Sequence, residues 1–117
     1  MYKNIIISLA ILLSTSFAQP DVPVEKWEGK KILLIGAHPD DDSQSYGTLA
    51  MLRDHGNEIW VLLLTTGNVG TKDPKMTRDK LSKIRRNEEI DALKILGIDK
   101  SHYINLGYTD GELEWAD

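Results

Sequence analysis

Lys31-Ile32-Leu33-Leu34-Ile35-Gly36-Ala37-His38-Pro39-Asp40-Asp41-Asp42 joins a short apolar run directly to a histidine and three carboxylates. The run 31–37 has no polar alternation, which predicts a strand covered on both faces, as inside parallel sheets. The C-terminal end of such a strand is where open α/β sheets place their chemistry. A neutral imidazole and an ionised carboxylate three residues apart on one turn can bind a divalent metal together. A second carboxylate beside them is free to act as a base. Capping the next helix would use only one acid, and three in succession repel one another unless a cation or hydrogen-bond donors compensate. The loop therefore points to metal or catalytic use.

Working outward, a helix is expected from about Ser43 to Asp54, turning Leu49, Ala50 and Leu52 to the sheet and stopping at Gly56. A second strand, Glu58 to Thr65, empties into Thr66-Gly67-Asn68-Val69-Gly70, a loop rich in turn residues. Asp73-Pro74 predicts a cap and first-turn proline. The helix that follows runs to Leu96, with Leu81, Ile84, Ala92 and Ile95 on an apolar stripe and Gly97 as its stop. A third strand, His102 to Leu106, leads into Gly107-Tyr108-Thr109-Asp110-Gly111. Strands alternating with helices imply right-handed crossovers and a parallel sheet. The expected fold is α/β, a Rossmann-like parallel sheet with flanking helices, truncated after about three strands. The loops 38–42, 66–73 and 107–111 then converge along one edge.

The chain has 117 residues, which allows one small domain. Its N-terminus follows a signal-peptide pattern: Lys3, an apolar stretch from Ile5 to Leu13, and Ser16-Phe17-Ala18 as cleavage-site residues. The apolar stretch is shorter than the roughly 20 residues that span a bilayer. The expectation is export to a periplasm or the medium, with 1–18 removed after Ala18, 19–30 as an extended leader and 31–117 as the domain. No stable membrane span would remain. Cysteine is absent, which excludes a lipidated cysteine, disulfides and thiolate metal ligands. The net charge of −4, with basic residues scattered among acids, offers no stripe for nucleic acid or an anionic surface.

Other features carry less. Gly36 stands alone after the first strand, so the G-x-G-x-x-G dinucleotide fingerprint is missing. His55 and His102 precede the second and third strands, about 15–20 Å from the acidic loop for strands of this length. Neither can complete a metal site there. Arg85, Arg86 and Glu89 have the spacing of ion pairs along a helix face. Asp110 beside Gly111 has the look of a turn residue. Trp27, Trp60 and Trp115 share no spacing and read as packing residues.

Taken together, Ala37-His38-Pro39-Asp40-Asp41, Thr65-Thr66-Gly67, the helix from Arg86 through Glu89 to Leu96-Gly97, and Leu106-Gly107-Tyr108-Thr109-Asp110-Gly111 follow a known order. Over about residues 31–111 the chain resembles the N-terminal half of the PIG-L/LmbE-like N-acetylglucosaminyl deacetylases. The resemblance implies a zinc-dependent amidase acting on an N-acetylated amino sugar or glycoconjugate. His38 and Asp41 would be metal ligands, Asp40 the general base, and Arg86 and Asp110 would face the sugar. Asp42 stands where the family often has glutamate, which would alter a supporting contact more than the chemistry.

Family members are about twice this long, and their third zinc ligand is a histidine from the C-terminal half. The expectation is therefore a fragment of a longer deacetylase that lacks that ligand. An apolar first strand and an exposed sheet edge point the same way. Two alternatives stand beside it: a non-catalytic remnant, and a Mg²⁺-dependent phosphoryl-transfer domain with an acidic pocket. The histidine before the acids counts against the second alternative.

Overall fold

Three parallel strands, β1 (Lys31–Gly36), β2 (Glu58–Thr65) and β3 (Tyr103–Tyr108), lie side by side in the order β1-β2-β3. The computed structural model describes residues 21–115; the expected signal peptide 1–18 and the expected cleavage after Ala18 lie outside the described residues. Two helices make the crossovers, α1 (Tyr46–Asp54) and α2 (Arg78–Ile95). Lys31 stands opposite Glu58 and Gly36 opposite Leu63, so β1 and β2 start together and β2 runs two residues further, to Thr65. An irregularity between Leu63 and Thr65 shifts the register and sets Thr65 against Tyr108. This is the α/β architecture that the alternating strands and helices predict.

The strands add in one direction, so right-handed crossovers carry both helices to one face of the sheet. There Leu49 and Leu52 of α1 and Leu93 of α2 close over Ile59, Val61 and Leu63 of β2, with Ile98 completing the cluster. The expectation that β1 is covered on both faces is not met among the described residues. Its burial alternates, and Leu33 and Ile35 are 51% and 62% exposed on the face opposite the helices. Ile104 and Leu106 of β3 continue that open apolar face.

Helix starts differ from the sequence reading for identifiable reasons. The 3-10 turn Asp41–Ser45 precedes α1 and Ser45 makes no side-chain cap, while Asp41 turns back to the Ala37 and His38 N–H groups. Asp73-Pro74 forms a turn in place of a helix start: Asp73 Oδ1 accepts the Lys75 N–H and the Asp73 carbonyl accepts the Met76 N–H. The cap of α2 is Thr77, whose Oγ1 accepts the Lys80 N–H at 3.2 Å. On α2 the buried residues are Leu81, Glu89 and Leu93. Ile95 is 86% exposed, since two residues beyond Leu93 turn it about 200° around the helix.

Asn57 ties the leader to the sheet. Its Oδ1 accepts the Lys30 N–H at 2.9 Å, and its Nδ2 donates to the Trp27 and Leu52 carbonyls at 2.7 Å each. Asn57→Ala strands a buried carbonyl and the entry to β1. It is expected to cost about 2 kcal/mol and to lower the midpoint of thermal unfolding by about 10 °C, as read by circular dichroism.

Candidate metal and catalytic site

β1 ends at Gly36 and the chain folds back on itself. A Cβ at Gly36 would meet Leu63 Cδ2 at 2.9 Å and Asp41 Cβ at 3.0 Å, so glycine lets the Asp41 side chain lie against the strand end. There Asp41 Oδ2 accepts the Ala37 N–H at 2.6 Å and the His38 N–H at 3.0 Å. Two charge-assisted bonds orient the carboxylate and leave Oδ1 at 3.3 Å from His38 Nδ1. Asp40 Oδ1 lies 3.5 Å from the same nitrogen. One donor atom from each of His38, Asp40 and Asp41 falls within 4.8 Å of the others. His38 Nδ1 is buried without a hydrogen-bond partner. An orphaned imidazole nitrogen facing two carboxylate oxygens is a donor set that fits a divalent transition metal.

Asp40 is held by a residue whose spacing suggested only an ion pair on a helix face. Arg85 reaches across from α2, with Nη2 donating to Asp40 Oδ2 at 2.7 Å and to the Pro39 carbonyl at 2.9 Å. Its Nη1 donates to the Gly67 carbonyl at 3.0 Å. Arg85 therefore joins the β1 and β2 loops and is not one of the ion pairs along the helix face that its spacing suggested. Gly67, at φ +62°, has no room for a side chain, because a Cβ would meet Arg85 Nη1 at 2.6 Å. Asp40 itself has φ 99° and ψ −13°, a left-handed conformation that costs a non-glycine residue about 1–2 kcal/mol. The Arg85 contacts help offset that strain. Helical spacing held the signal, since 85 lies four residues from both Leu81 and Glu89 on the buried stripe.

Asp42 points the other way, into the protein. It is fully buried and neither of its carboxylate oxygens has a hydrogen-bond donor. Its neighbour is Glu89 of α2, also buried, whose carboxyl is pushed up to about 8 by burial and then by the Asp42 carboxylate. Tyr46, at the start of α1, is pushed up to about 12 by burial and by the charges of Glu89, Asp42 and Asp40. Tyr46, Asp40, Arg85 and Glu89 share a cavity of about 200 Å³.

A larger cavity of about 310 Å³ opens on the other side of Pro39, lined by Thr66, Ser82, Lys83, Arg86, Tyr103 and Asn105 among others. Thr66 Oγ1 is buried there without a partner. Neither Lys83 nor Arg86 pairs with a carboxylate among the described residues. Arg86 thus lines a cavity beside the acidic loop, whereas Arg85 is built into the loop's support. The third loop is stitched to the second: the Asp110 N–H donates to Asn68 Oδ1 at 3.1 Å and the Thr66 N–H to the Tyr108 carbonyl at 3.0 Å. Asn105 Nδ2 adds a bond to the Thr65 carbonyl at 2.9 Å. His55 ends α1, and His102 stacks on Trp60 with Nδ1 at 3.0 Å from the Ile59 carbonyl. Both sit at the opposite edge of the sheet, as their sequence positions imply.

Comparison with known proteins gives the chain's relatives. The model of the PIG-L family, described as GlcNAc-PI de-N-acetylase, matches residues 33–117. The chain is 39% identical over 82 residues to a diacetylchitobiose deacetylase of Thermococcus kodakarensis, covering 69% of this chain and 31% of that protein. Among solved structures it is similar to the N,N'-diacetylchitobiose deacetylase of Pyrococcus horikoshii, with a TM-score of 0.67 and 35% identity, covering 75% of this chain and 32% of that one. It is also similar to GalB, the 4-carboxy-2-hydroxymuconate hydratase of Pseudomonas putida, with a TM-score of 0.65 and 26% identity over 75% of this chain and 38% of the other. The chain thus spans about a third of the length of these relatives. The acidic loop, the loops stitched beside it and the family match across most of the chain lead to one assignment: this chain belongs to the PIG-L family.

Proposed function

We propose that this chain carries the metal and base residues of a zinc-dependent hydrolase that removes the N-acetyl group from an N-acetylglucosamine-type glycan or glycoconjugate. The observation that carries the reading is the convergence of His38 Nδ1 with the open oxygens of Asp40 and Asp41 at the end of β1. The diacetylchitobiose deacetylases among its relatives support the substrate class. The imidazole donor favours zinc over the Mg²⁺-dependent phosphoryl-transfer alternative.

In this reading His38 and Asp41 would hold zinc. When bound, zinc supplies a Lewis acid that lowers the pKa of water and polarises an amide carbonyl. Asp40 keeps Oδ1 open because Arg85 occupies Oδ2, and that open oxygen takes the proton of the attacking water. Protonation of the amine nitrogen then lets the C–N bond break, giving acetate and a free amino sugar. Arg86 and Asp110 meet the sugar's hydroxyls or its linked group, and the unpartnered Thr66 Oγ1 offers a further hydrogen bond in the Arg86 cavity. A third protein ligand is not among the described residues. The Lys3 to Ala18 pattern supports an exported enzyme, and no helix among the described residues is long and apolar enough to cross a membrane.

Zinc titration of the full chain by calorimetry, followed by acetate release from N,N'-diacetylchitobiose, tests the reading. His38→Ala is expected to weaken zinc binding at least 100-fold. Absence of zinc binding by the unaltered chain, or acetate release undiminished in His38→Ala, overturns the proposal. Zinc binding without acetate release favours the non-catalytic alternative.

Asp40→Asn separates base from ligand. Asparagine tolerates the left-handed backbone, so zinc affinity is expected to change by less than about tenfold while acetate release falls about 10²–10⁴-fold. Arg86→Ala is expected to raise KM about tenfold with kcat nearly unchanged, measured on the same substrate. An equal fall in kcat would place Arg86 in the chemical step.

A further inference from the structure

The cavity of about 310 Å³ beside Pro39 is walled by cations and hydroxyls, with no carboxylate in its lining. Lys83 and Arg86 stand three residues apart on α2, so the two cations share one helix face. Asp79 and Glu89 have the sequence spacing to pair with them, yet no such ion pair forms among the described residues. Two like charges on one helix face repel, and an anion between them relieves that repulsion.

The wall facing α2 repeats the pattern. Thr66, from the loop after β2, has its Oγ1 buried with no partner. The Tyr103 hydroxyl oxygen accepts from Asn105 Nδ2 at 3.1 Å, which leaves the phenol's own proton free to be donated. Burial holds that phenol above its ordinary range, so the proton stays on the oxygen near neutral pH. Asn105 Oδ1, the one side-chain carbonyl in the lining, already accepts the Gly107 N–H at 2.8 Å.

We infer that this cavity is a subsite for an oxyanion, a phosphate or a carboxylate carried by the substrate next to its N-acetylated sugar. The inference rests on the deacetylase reading and deepens it, narrowing the substrate to an anionic glycoconjugate. Arg86 offers a planar fork for two oxygens of the anion, and Lys83 adds a compact charge. The Thr66 and Tyr103 hydroxyls donate from the facing wall. Pro39 fixes the placement, since it lines the cavity and stands between His38 and Asp40 in the chain. Asp40 is paired with Arg85 and Asp41 with two backbone N–H groups, which limits their repulsion of an incoming anion. Small-molecule sites occupy about 300–1,000 Å³, so this one suits a single charged substituent.

The test compares acetate release by the full chain from three probes. One is neutral N,N'-diacetylchitobiose; the others are N-acetylglucosamine phosphorylated at its anomeric oxygen and a disaccharide of N-acetylglucosamine and glucuronate. At least one anionic probe is expected to exceed the neutral one in kcat/KM by about tenfold, the effect of one charge-assisted contact. The better of the two identifies the anion as phosphate or carboxylate. Lys83 is exposed, so its substitution leaves the packing intact. Lys83→Gln is expected to lower the anionic-to-neutral ratio about tenfold, and Lys83→Arg, which keeps the charge, to hold it within about threefold. Equal kcat/KM on all three probes, or a preference untouched by Lys83→Gln, overturns the inference and leaves the deacetylase reading standing.

Calorimetric titration of the metal-free chain with inorganic phosphate reads the subsite without turnover. Lys83→Gln is expected to weaken that binding about tenfold. If no probe releases acetate but phosphate binds and depends on Lys83, the proposed function fails and the anion subsite stands. If no probe releases acetate and phosphate is not bound, or is bound equally by Lys83→Gln, both fail.

Discussion

The guanidinium of Arg85 is the contact on which the rest of the site depends. It donates to two backbone carbonyls and one carboxylate drawn from two different loops. A planar fork with several fixed donors can do this, while a lysine ammonium offers a compact charge without the fork geometry. The loops accommodate it through Gly67 and Gly70, at both of which a Cβ would press on Nη1. Arg85 also neutralises part of the charge that three successive aspartates bring to one turn. It holds Asp40 in a backbone conformation that an isolated aspartate would rarely adopt.

The three aspartates, identical in sequence, end in three environments. Asp40 is exposed and paired to a cation from α2. Asp41 bends back to the strand end and takes two backbone N–H groups. Asp42 is fully buried against Glu89. The left-handed residue followed by a 3-10 turn sends consecutive side chains in these divergent directions. That divergence answers the repulsion problem. Asp40 meets a guanidinium and Asp41 two backbone N–H groups, while Asp42 is turned away from both, and two open oxygens are left pointing at one imidazole nitrogen.

The wider fold supplies position more than chemistry. Parallel strands bring three loops to one edge, and the bonds from Asp110 to Asn68 and from Thr66 to Tyr108 hold the second and third loops together beside the first. A hydratase and deacetylases share this scaffold, which fits the general rule that chemistry resides in the donors placed on a fold. The donors here are concentrated in five residues after β1. The cavity containing Arg86 and Lys83 is assembled from α2, β3 and the first two loops.

Much of this was legible in the residues themselves. Apolar runs bounded by turn residues located all three strands, because short apolar segments between turn residues favour extended backbone whichever face is finally covered. His38, Asp40 and Asp41 could be singled out because histidine and acids after a buried strand have few structural uses. Helix boundaries were less accessible, since the caps depended on which side chains were already engaged: Asp73 closed a turn and Thr77 capped the helix. One-sided cover of β1 was likewise decided by strand order, which sends both crossovers to the same face. The choice between Arg85 and Arg86 was a tertiary matter, because neighbouring residues on a helix differ by about 100° in direction and only the packing of α2 shows which one faces the loop. Sequence by itself determined the fold class and singled out the candidate donor residues, which follow from local composition. The tertiary structure alone decided which charges meet, because Asp40 with Arg85 and Asp42 with Glu89 are pairs some 45 residues apart in the chain.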